Sequence, residues 1–225
     1  MSGRGATGGR GMSGHGSKAS PAATASRVLD AAERLVQVRG FNGFSYADIA
    51  AELGITKASL HYHFATKADL GEVLIKRYVA RFLQALAEVG SDGAAPDKLA
   101  AYASLYSDVL SEQKMCLCGM LAAEYQTLPA PMQAAVLGFF DENEAWLERV
   151  LEQGREEGSL EFAGPARDTA RMIVSGLEGA MLVTRPYGDA GRFQVAATSL
   201  LASLTAPAGG VSLRPARPDL NVARG

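Results

Sequence analysis

The sequence predicts an all-α protein of about nine helices, and three observations lead to this fold class. Between the two chain ends, every long segment repeats its apolar residues at helical spacing. No alternation of apolar and polar residues, as a strand would show, persists for five positions. Two capping boxes mark helix starts, and stretches rich in Gly and Pro separate the periodic segments. We therefore expect helices joined by turns.

The first helix is predicted within RVLDAAERLVQVRGF, from Arg27 to Phe41, and a second helix follows at about residues 46–53. The second helix starts at a capping box, in which Ser45 accepts from the backbone N–H of Asp48 and the Asp48 carboxylate reaches back. Gly54 ends it, because glycine adopts the left-handed conformation needed there without strain. The two helices share a small core of Val28, Ala31, Ala32, Leu35, Ile49, Ala50 and Leu53.

A third, short helix is predicted after its capping residue Thr56, with Leu60 and Phe64 facing the same core. Its other positions are rich in donors and aromatic rings: Lys57, Ser59, His61, Tyr62 and His63. A short helix of this composition, set against another by a glycine turn, is shaped to enter the major groove of DNA. The three helices are therefore predicted to form a helix-turn-helix DNA-binding domain.

Two classes of DNA contact are expected from this domain. Phosphate contacts are expected from Ser45, Thr56, Tyr62 and Lys67. Base contacts are expected from Lys57, Ser59 and His61, and His63 fits either class. Ser45 and Thr56 qualify because free N–H groups and hydroxyls point outward at helix N-termini. The alternative for Tyr62 and His63 is an ordinary solvated helix face.

The segment ADIAAELGITKASLHYHF, followed by TKADL, resembles the TetR/AcrR family of bacterial transcriptional regulators. The resemblance runs without a gap from about Arg27 to Leu74 and implies an all-α fold, operator DNA and a homodimer. It also implies that DNA is commonly touched at the positions of Lys57, Ser59, His61, Tyr62, His63 and Lys67. The position after Leu60 is usually tyrosine in the family and is His61 here, so a phosphate contact made by a phenol becomes an imidazole contact or is lost.

The rest of the chain is predicted to form a helical effector and dimerisation domain. Thr66 and Asp69 make a second capping box, which opens a long helix toward residue 89. Further helices are expected at about 95–113, 117–127, 130–157, 166–184 and 190–205. The last two carry broad apolar faces with small residues, which favour a four-helix contact between two copies. The alternative is that these faces close the core of the monomer.

Four regions follow from these assignments. Residues 1–22 form a basic, glycine-rich tail that is expected to be disordered, because it cannot bury enough apolar surface. Residues 23–72 form the DNA-binding domain, and residues 73–205 form the ligand-binding and dimerisation domain. Residues 206–225 form a flexible tail with three prolines. The N-terminal tail is either an arm that adds DNA contacts or an inert extension.

The charge of the chain divides between its two parts. Residues 1–82 contain 11 Lys and Arg against 6 Asp and Glu, whereas residues 83–225 contain 11 against 18. A polyanion is attracted to the first part and repelled by the second. No apolar run approaches the roughly 18 residues needed to cross a bilayer. A cytoplasmic protein without membrane contact is therefore expected.

The segment MCLCGMLAAE is the most unusual part of the second domain, because it holds both cysteines of the chain, Cys116 and Cys118. They are either small buried hydrophobic residues or, at Cys116, a thiol that reacts with oxidants or electrophiles. Some family members with a similar segment respond to electrophiles through a thiol at the position of Cys116. No histidine lies beyond residue 63, so neither a metal site nor another cofactor is expected.

A third possibility is an apolar or aromatic small molecule held between helices. The candidate effector-binding residues are Cys116, Met120, Glu124, Tyr125 and Trp146. Further candidates for lining a pocket are Tyr102, Tyr106, Phe139, Met172 and Met181, although such residues at helical spacing also suit a plain core. The second domain is thus expected to sense either a small molecule or an electrophile.

The sequence favours a transcriptional regulator, most simply a repressor that an effector releases from its operator. A thiol-dependent enzyme is disfavoured, because such an enzyme needs a base near Cys116 and no histidine lies from residue 64 to residue 225. A helical adaptor without DNA binding is disfavoured by the intact set of Lys57, Ser59, Tyr62 and Lys67. We therefore expect no enzymatic activity.

Overall fold

The computed structural model describes residues 20–89 and 93–205. These residues form nine α-helices and two single 3-10 turns, without a strand among them, so the all-α prediction is confirmed. The helices are α1 (Pro21–Arg39), α2 (Tyr46–Leu53), α3 (Lys57–His63), α4 (Lys67–Glu88), α5 (Ala95–Ser111), α6 (Leu117–Ala123), α7 (Ala130–Glu156), α8 (Ala166–Thr184) and α9 (Ala190–Ala202). The 3-10 turns are Tyr125–Thr127 and Arg185–Tyr187.

Helix α1 begins at Pro21, earlier than the sequence suggested. Ser20 caps it by accepting a hydrogen bond from the backbone N–H of Ala23 at 3.2 Å. Proline suits the first turn of a helix, where its missing N–H costs nothing, and the alanines that follow favour helix. The assignment of residues 20–22 to a disordered tail is therefore wrong. The predictions for residues 1–19, 90–92 and 206–225 lie outside the described residues.

Helices α1, α2 and α3 form a compact head. Their shared core is fully buried at Val28, Ile49 and Leu60. Gly54 ends α2 in the left-handed conformation, with φ of 65° and ψ of 34°. The Tyr46 hydroxyl donates to the carbonyls of Phe64 and Thr66, at 3.0 and 2.7 Å, which ties the start of α2 to the end of α3. The C-terminal end of α3, the recognition helix, is thus held against α2.

Helix α4 joins the head to the rest of the molecule without a break. It spans 22 residues, about 33 Å, and crosses the predicted domain boundary at residues 72 and 73. Its Arg77 donates to Asp30 at 2.7 Å and to Glu33 at 2.9 Å, so two ion pairs bind α4 to α1. Arg81 also pairs with Glu33. These ion pairs therefore hold the head against the middle of α4.

The body is built from α5, α7, α8 and α9, and its centre is filled by aromatic side chains. The Tyr102 hydroxyl bonds Tyr106 at 2.9 Å and donates to Asn143 at 3.0 Å. The stacked ring of Trp146 and the ring of Phe139 pack around this group. Three of the residues expected to line a pocket are buried core instead, because the helices pack tightly around them: Tyr102, Tyr106 and Met181. Phe139 is also buried, but it borders a cleft of about 460 Å³ between α4 and α7.

Helices α8 and α9 each use one face inside the monomer and leave another face exposed. Ile173, Leu177 and Phe193 are fully buried in the body. Four apolar side chains on the outer faces are exposed: Met172, Leu182, Val183 and Val195. Closure of the monomer core therefore accounts for only part of the apolar surface on these helices. None of the helices in the described ranges is long and apolar enough to span a membrane.

Candidate DNA interface and effector site

The exposed face of α3 presents several of the expected DNA-binding residues. Tyr62 is 79% exposed and Lys57 is exposed at the first position of the helix. Thr56 caps α3 by accepting from the backbone N–H of Ser59 at 3.1 Å, which leaves the hydroxyl proton of Thr56 available for a phosphate. Ser59 and His63 are half-buried beside them. This face offers donors at the N-terminal end of a helix, which is the arrangement that major-groove readers use.

The imidazole of His61 is turned toward its own head. Its Nδ1 lies 3.0 Å from the carbonyl oxygen of Ala65, and its ring centroid is 4.9 Å from that of Tyr46. A carbonyl oxygen only accepts, so Nδ1 carries the proton in this bond. In the neutral ring Nε2 is then an acceptor, and it cannot donate to a phosphate. Among the two alternatives for this position, the geometry favours a lost phosphate contact.

The ammonium of Lys67 is committed to the protein, which does not fit the direct phosphate contact expected from the sequence. Its Nζ donates to the carbonyls of Phe41 and Phe44. It also lies over both aromatic rings, 4.5 and 4.1 Å from their centroids. Burial lowers the pKa of Lys67, and the nearby carboxylate of Glu124 opposes that shift. Lys67 therefore braces the turn between α1 and α2.

The hydroxyl of Ser45 is also engaged. Both its Oγ and its backbone N–H donate to Oδ2 of Asp48, at 2.6 and 2.7 Å. These two hydrogen bonds, together with the charge of Arg39, lower the pKa of the Asp48 carboxyl. A phosphate approaching Ser45 would meet this carboxylate, so a direct contact there does not fit the geometry either. Thr56, Lys57 and Tyr62 remain the best-placed donors.

A hydrogen-bonded junction joins the head to α6 and the turn after it. The Glu124 carboxylate accepts from the backbone N–H of Phe41 at 2.5 Å and from that of Asn42 at 3.2 Å. The Asn42 side chain donates to the hydroxyl of Thr127 at 2.8 Å. Gly40 allows this approach, because a Cβ there would lie 2.7 Å from Glu124 and its φ is 81°. Glu124 therefore connects two parts of the molecule, and its role in the effector site stays a prediction.

The two thiols are buried, and the structure contains no disulfide between them. Cys116 caps α6, with its Sγ 3.5 Å from the N–H of Gly119, and the Tyr78 hydroxyl donates to the same Sγ at 3.7 Å. Burial raises the pKa of the Cys116 thiol well above its usual value, and the neighbouring Glu178 carboxylate raises it further. Burial likewise raises the pKa of Cys118. Both groups are therefore protonated thiols in this state.

A cleft of about 360 Å³ lies between α6, α7 and α8. Its walls are mostly apolar, with Met115, Met120, Phe140, Val174 and Leu182 among them. Glu178 and Glu144 add two carboxylates. Of the five residues predicted for the effector site, Met120 lines this cleft and Cys116 lies beside Glu178.

The remaining predicted effector residues lie elsewhere. Trp146 lines a separate cleft of about 310 Å³ with Leu86 and Gln153. Tyr125 sits in the first 3-10 turn, where its carbonyl accepts from the Gln133 side chain at 2.9 Å. Within the described ranges, no group of three or more His, Cys, Asp or Glu side chains is placed to hold a metal ion. The five residues are thus divided among three places.

The sequence reading overlooked Glu178, the acid that the structure places in the cleft wall. Burial raises the pKa of Glu178 to about 7, and a hydrogen bond from Cys116 opposes part of this rise. A signal was present in the sequence, since Glu178 is the only acid between Thr169 and Thr184 in an otherwise apolar helix. Its helical position next to the inward-facing Leu177 indicated partial burial.

A helix-turn-helix head with an exposed recognition helix, joined by one long helix to a helical body, defines a DNA-binding transcriptional regulator. The family model of bacterial regulatory proteins, tetR family, matches residues 28–74. A second model, the tetracyclin repressor-like C-terminal domain, matches residues 95–200. The chain therefore belongs to the TetR family of transcriptional regulators.

Several relatives support this assignment. A TetR-family regulator of Agrobacterium tumefaciens has a solved structure that aligns with a TM-score of 0.80 and 33% identity, covering 83% of this chain and all of that one. The HTH-type transcriptional repressor NemR of Escherichia coli is 28% identical over 167 residues, which cover 71% of this chain and 82% of NemR. The crystal structure of reduced NemR aligns with a TM-score of 0.70 and 26% identity, covering 82% of this chain and 99% of that one.

Proposed function

We propose that this regulator is a repressor that binds operator DNA as a homodimer in the cytoplasm and leaves it when a small molecule occupies the body. In this proposal residues 21–72 carry the DNA contacts, and residues 73–205 carry the effector site and the dimer interface. The similarity to NemR, a named repressor, supports repression. The exposed apolar faces of α8 and α9 support a dimer. No catalytic step forms part of the proposal.

The junction at Glu124 is the observation that carries the proposed release mechanism. Release requires that the body and the head change together, since an effector shifts DNA affinity only through states that differ at both sites. Helix α6 meets the effector cleft through Met120, and Glu124 directly after it holds the head at Phe41. A rearrangement of α6 on ligand binding would therefore reach the head through one short segment.

The geometry favours a reversible small molecule over an electrophile. Thiolates, not thiols, attack electrophiles, and burial holds Cys116 in the thiol form. An electrophile route would require Cys116 to pass its proton to a neighbouring base, for which Glu178 is placed. An electrophile is therefore the second candidate effector. The observation that favours it is the contact between Cys116 and Glu178.

DNA binding is tested by selecting bound fragments from the source genome and titrating them by fluorescence anisotropy. Lys57→Ala should weaken operator binding about tenfold and reduce the preference for operator over unrelated DNA, because a base-reading lysine carries sequence information. Tyr62→Ala should weaken binding to the operator and to unrelated DNA by the same factor, because phosphate contacts are independent of sequence.

Lys76→Ala is the matched control, since it removes the same charge from an exposed position on α4 that lies away from α3. Operator affinity should change little in this variant. If Lys57→Ala and Tyr62→Ala bind operator as the control does, α3 does not carry the DNA contacts.

A further inference from the structure

The Glu178 carboxyl has one oxygen without a partner. Its Oε1 atom has no contact with solvent and no hydrogen-bond partner among the described residues. Its Oε2 atom packs against Gly119, where a Cβ would lie only 2.3 Å away. Buried polar atoms are nearly always hydrogen-bonded, and an exception calls for an explanation. This acceptor sits in the wall of the cleft between α6, α7 and α8.

The charged side chains that line the cleft are acids, and the nearest bases lie outside the lining, with Arg185 contacting the sulfur of Met120 at 3.3 Å. Its lining includes two carboxylates, Glu178 and Glu144, and contains neither Lys nor Arg. Glu144 is already paired with Arg171 at 3.2 Å, on the outer side of α7 and α8. Glu178 has no cationic partner in the described part of the chain. The unpaired acid therefore dominates the electrostatics of the interior of the cleft.

The other residues that line the cleft suit an apolar part of a ligand next to this charge. Met115, Met120 and Phe140 present two thioethers and an aromatic ring, and Val174 and Leu182 lie one turn before and one turn after Glu178 on α8. Methionine side chains adapt to irregular ligands, and aromatic faces attract cations. A volume of about 360 Å³ falls in the range of small-molecule sites.

We propose that this cleft binds a lipophilic amine. The protonated nitrogen of the amine binds Glu178, and the apolar part of the amine packs against Met120 and Phe140. Once the Glu178 side chain turns Oε1 toward the cleft, an ammonium supplies both the donor that this atom lacks and the charge that the buried carboxylate needs. An anionic ligand would meet repulsion from Glu178, and a neutral one would leave its charge uncompensated. The inference rests on the proposed function, because it names the chemical class of the effector.

The test is calorimetric titration of the full-length protein with three probes that share a phenyl ring on a four-carbon chain and differ in the terminal group. The probes are 4-phenylbutylamine, the neutral 4-phenylbutan-1-ol and the anionic 4-phenylbutanoate, at about pH 8 so that the amine and the acid are both ionised. The amine should bind at least about tenfold more tightly than the alcohol, and the carboxylate should bind most weakly.

Glu178→Gln keeps the shape of the side chain and removes its charge. In this variant the advantage of the amine over the alcohol should disappear, while the affinity for the alcohol stays within about twofold. Glu152→Gln, an exposed change on α7, should behave as the wild type does. Thermal melting of each variant reports whether it is folded. Equal affinities of amine and alcohol for the wild type, absent amine binding, or amine binding that survives Glu178→Gln would each overturn the proposal.

Binding and release are measured separately, so that the two proposals fail in different ways. The titrations above contain no DNA and report only on the cleft. A second series follows operator-bound protein as the amine is added. If the amine binds but does not release the DNA, the amine site stands and the proposal that this site is the effector site is wrong. Release by other compounds, without amine binding, would keep the repressor mechanism and overturn the amine site.

Discussion

At the scale of single residues, His61 is the position where this head differs most clearly from the pattern it resembles. The imidazole uses its one proton on the carbonyl of Ala65 and packs on Tyr46. In its neutral form it has no donor left for DNA. In the proposed complex with DNA, this head would therefore offer one donor fewer than a head with tyrosine at this place.

His61→Tyr should increase operator affinity, because a phenol supplies a hydroxyl that can donate to a phosphate. A net neutral hydrogen bond contributes about 0.5–1.5 kcal/mol, so a gain of about two- to tenfold is expected in anisotropy titrations. His61→Phe is the matched control, since it adds the ring without the hydroxyl. Unchanged affinity in His61→Tyr, or an equal gain in His61→Phe, would contradict the assignment.

At the scale of secondary-structure elements, α6 links the cleft to the head although it has only 7 residues. Its N-terminal residue Cys116 lies beside the cleft, and Glu124 at its C-terminal end binds the backbone of Phe41 and Asn42. The backbone N–H of Met115, just before it, donates to the carbonyl of Gln37 at 3.2 Å. The residues on both sides of α6 are thus hydrogen-bonded to the head, one to the last turns of α1 and the other to the turn that follows α1.

Glu124→Gln should lower the free energy of unfolding by about 1–3 kcal/mol. The amide oxygen can keep the bonds to the backbone N–H groups of Phe41 and Asn42, but these bonds lose the charge of the acceptor, and the amide nitrogen places a donor where Oε1 lies 3.2 Å from the Asn42 nitrogen. Urea denaturation followed by circular dichroism measures the change, with Glu152→Gln as the exposed control. A variant as stable as this control would show that the junction contributes little to the fold.

The features that could be predicted from the sequence are local, and those that could not are contacts between distant segments. Ser45 with Asp48 and Thr66 with Asp69 lie three residues apart, so the helix starts were predictable. Glu124 meets Phe41 across 83 residues, and no pattern around either residue predicts that bond. A phosphate contact is predicted for Lys67 because the sequence around it does not reveal that its ammonium binds the carbonyls of Phe41 and Phe44.

At the scale of the whole molecule, the exposed faces of α8 and α9 indicate where two copies would meet. Val195 is 69% exposed, and Leu182 and Val183 lie exposed on α8. Contiguous exposed apolar residues on two packed helices are typical of an interface. The small residues along both helices allow the helices of a second copy to approach closely.

Val195→Glu should convert the homodimer into a monomer, because it places an unpaired charge in the proposed interface while costing the exposed monomer surface little. Light scattering coupled to size-exclusion chromatography measures the mass. Leu137→Glu is the control, since Leu137 is also exposed but lies on α7. Retention of a dimer in Val195→Glu, or a monomeric wild type, would argue against this interface.

The unbroken course of α4 also has a mechanical consequence. A rigid rod of about 33 Å, tilted by about 5° at the body, moves its far end by about 3 Å. The two heads of a dimer would move in opposite directions, so their separation would change by about 6 Å, compared with a groove repeat of about 34 Å. Since α4 is 22 residues long, such a tilt in each copy of the proposed dimer would be amplified at the DNA into a mismatch of nearly two base pairs.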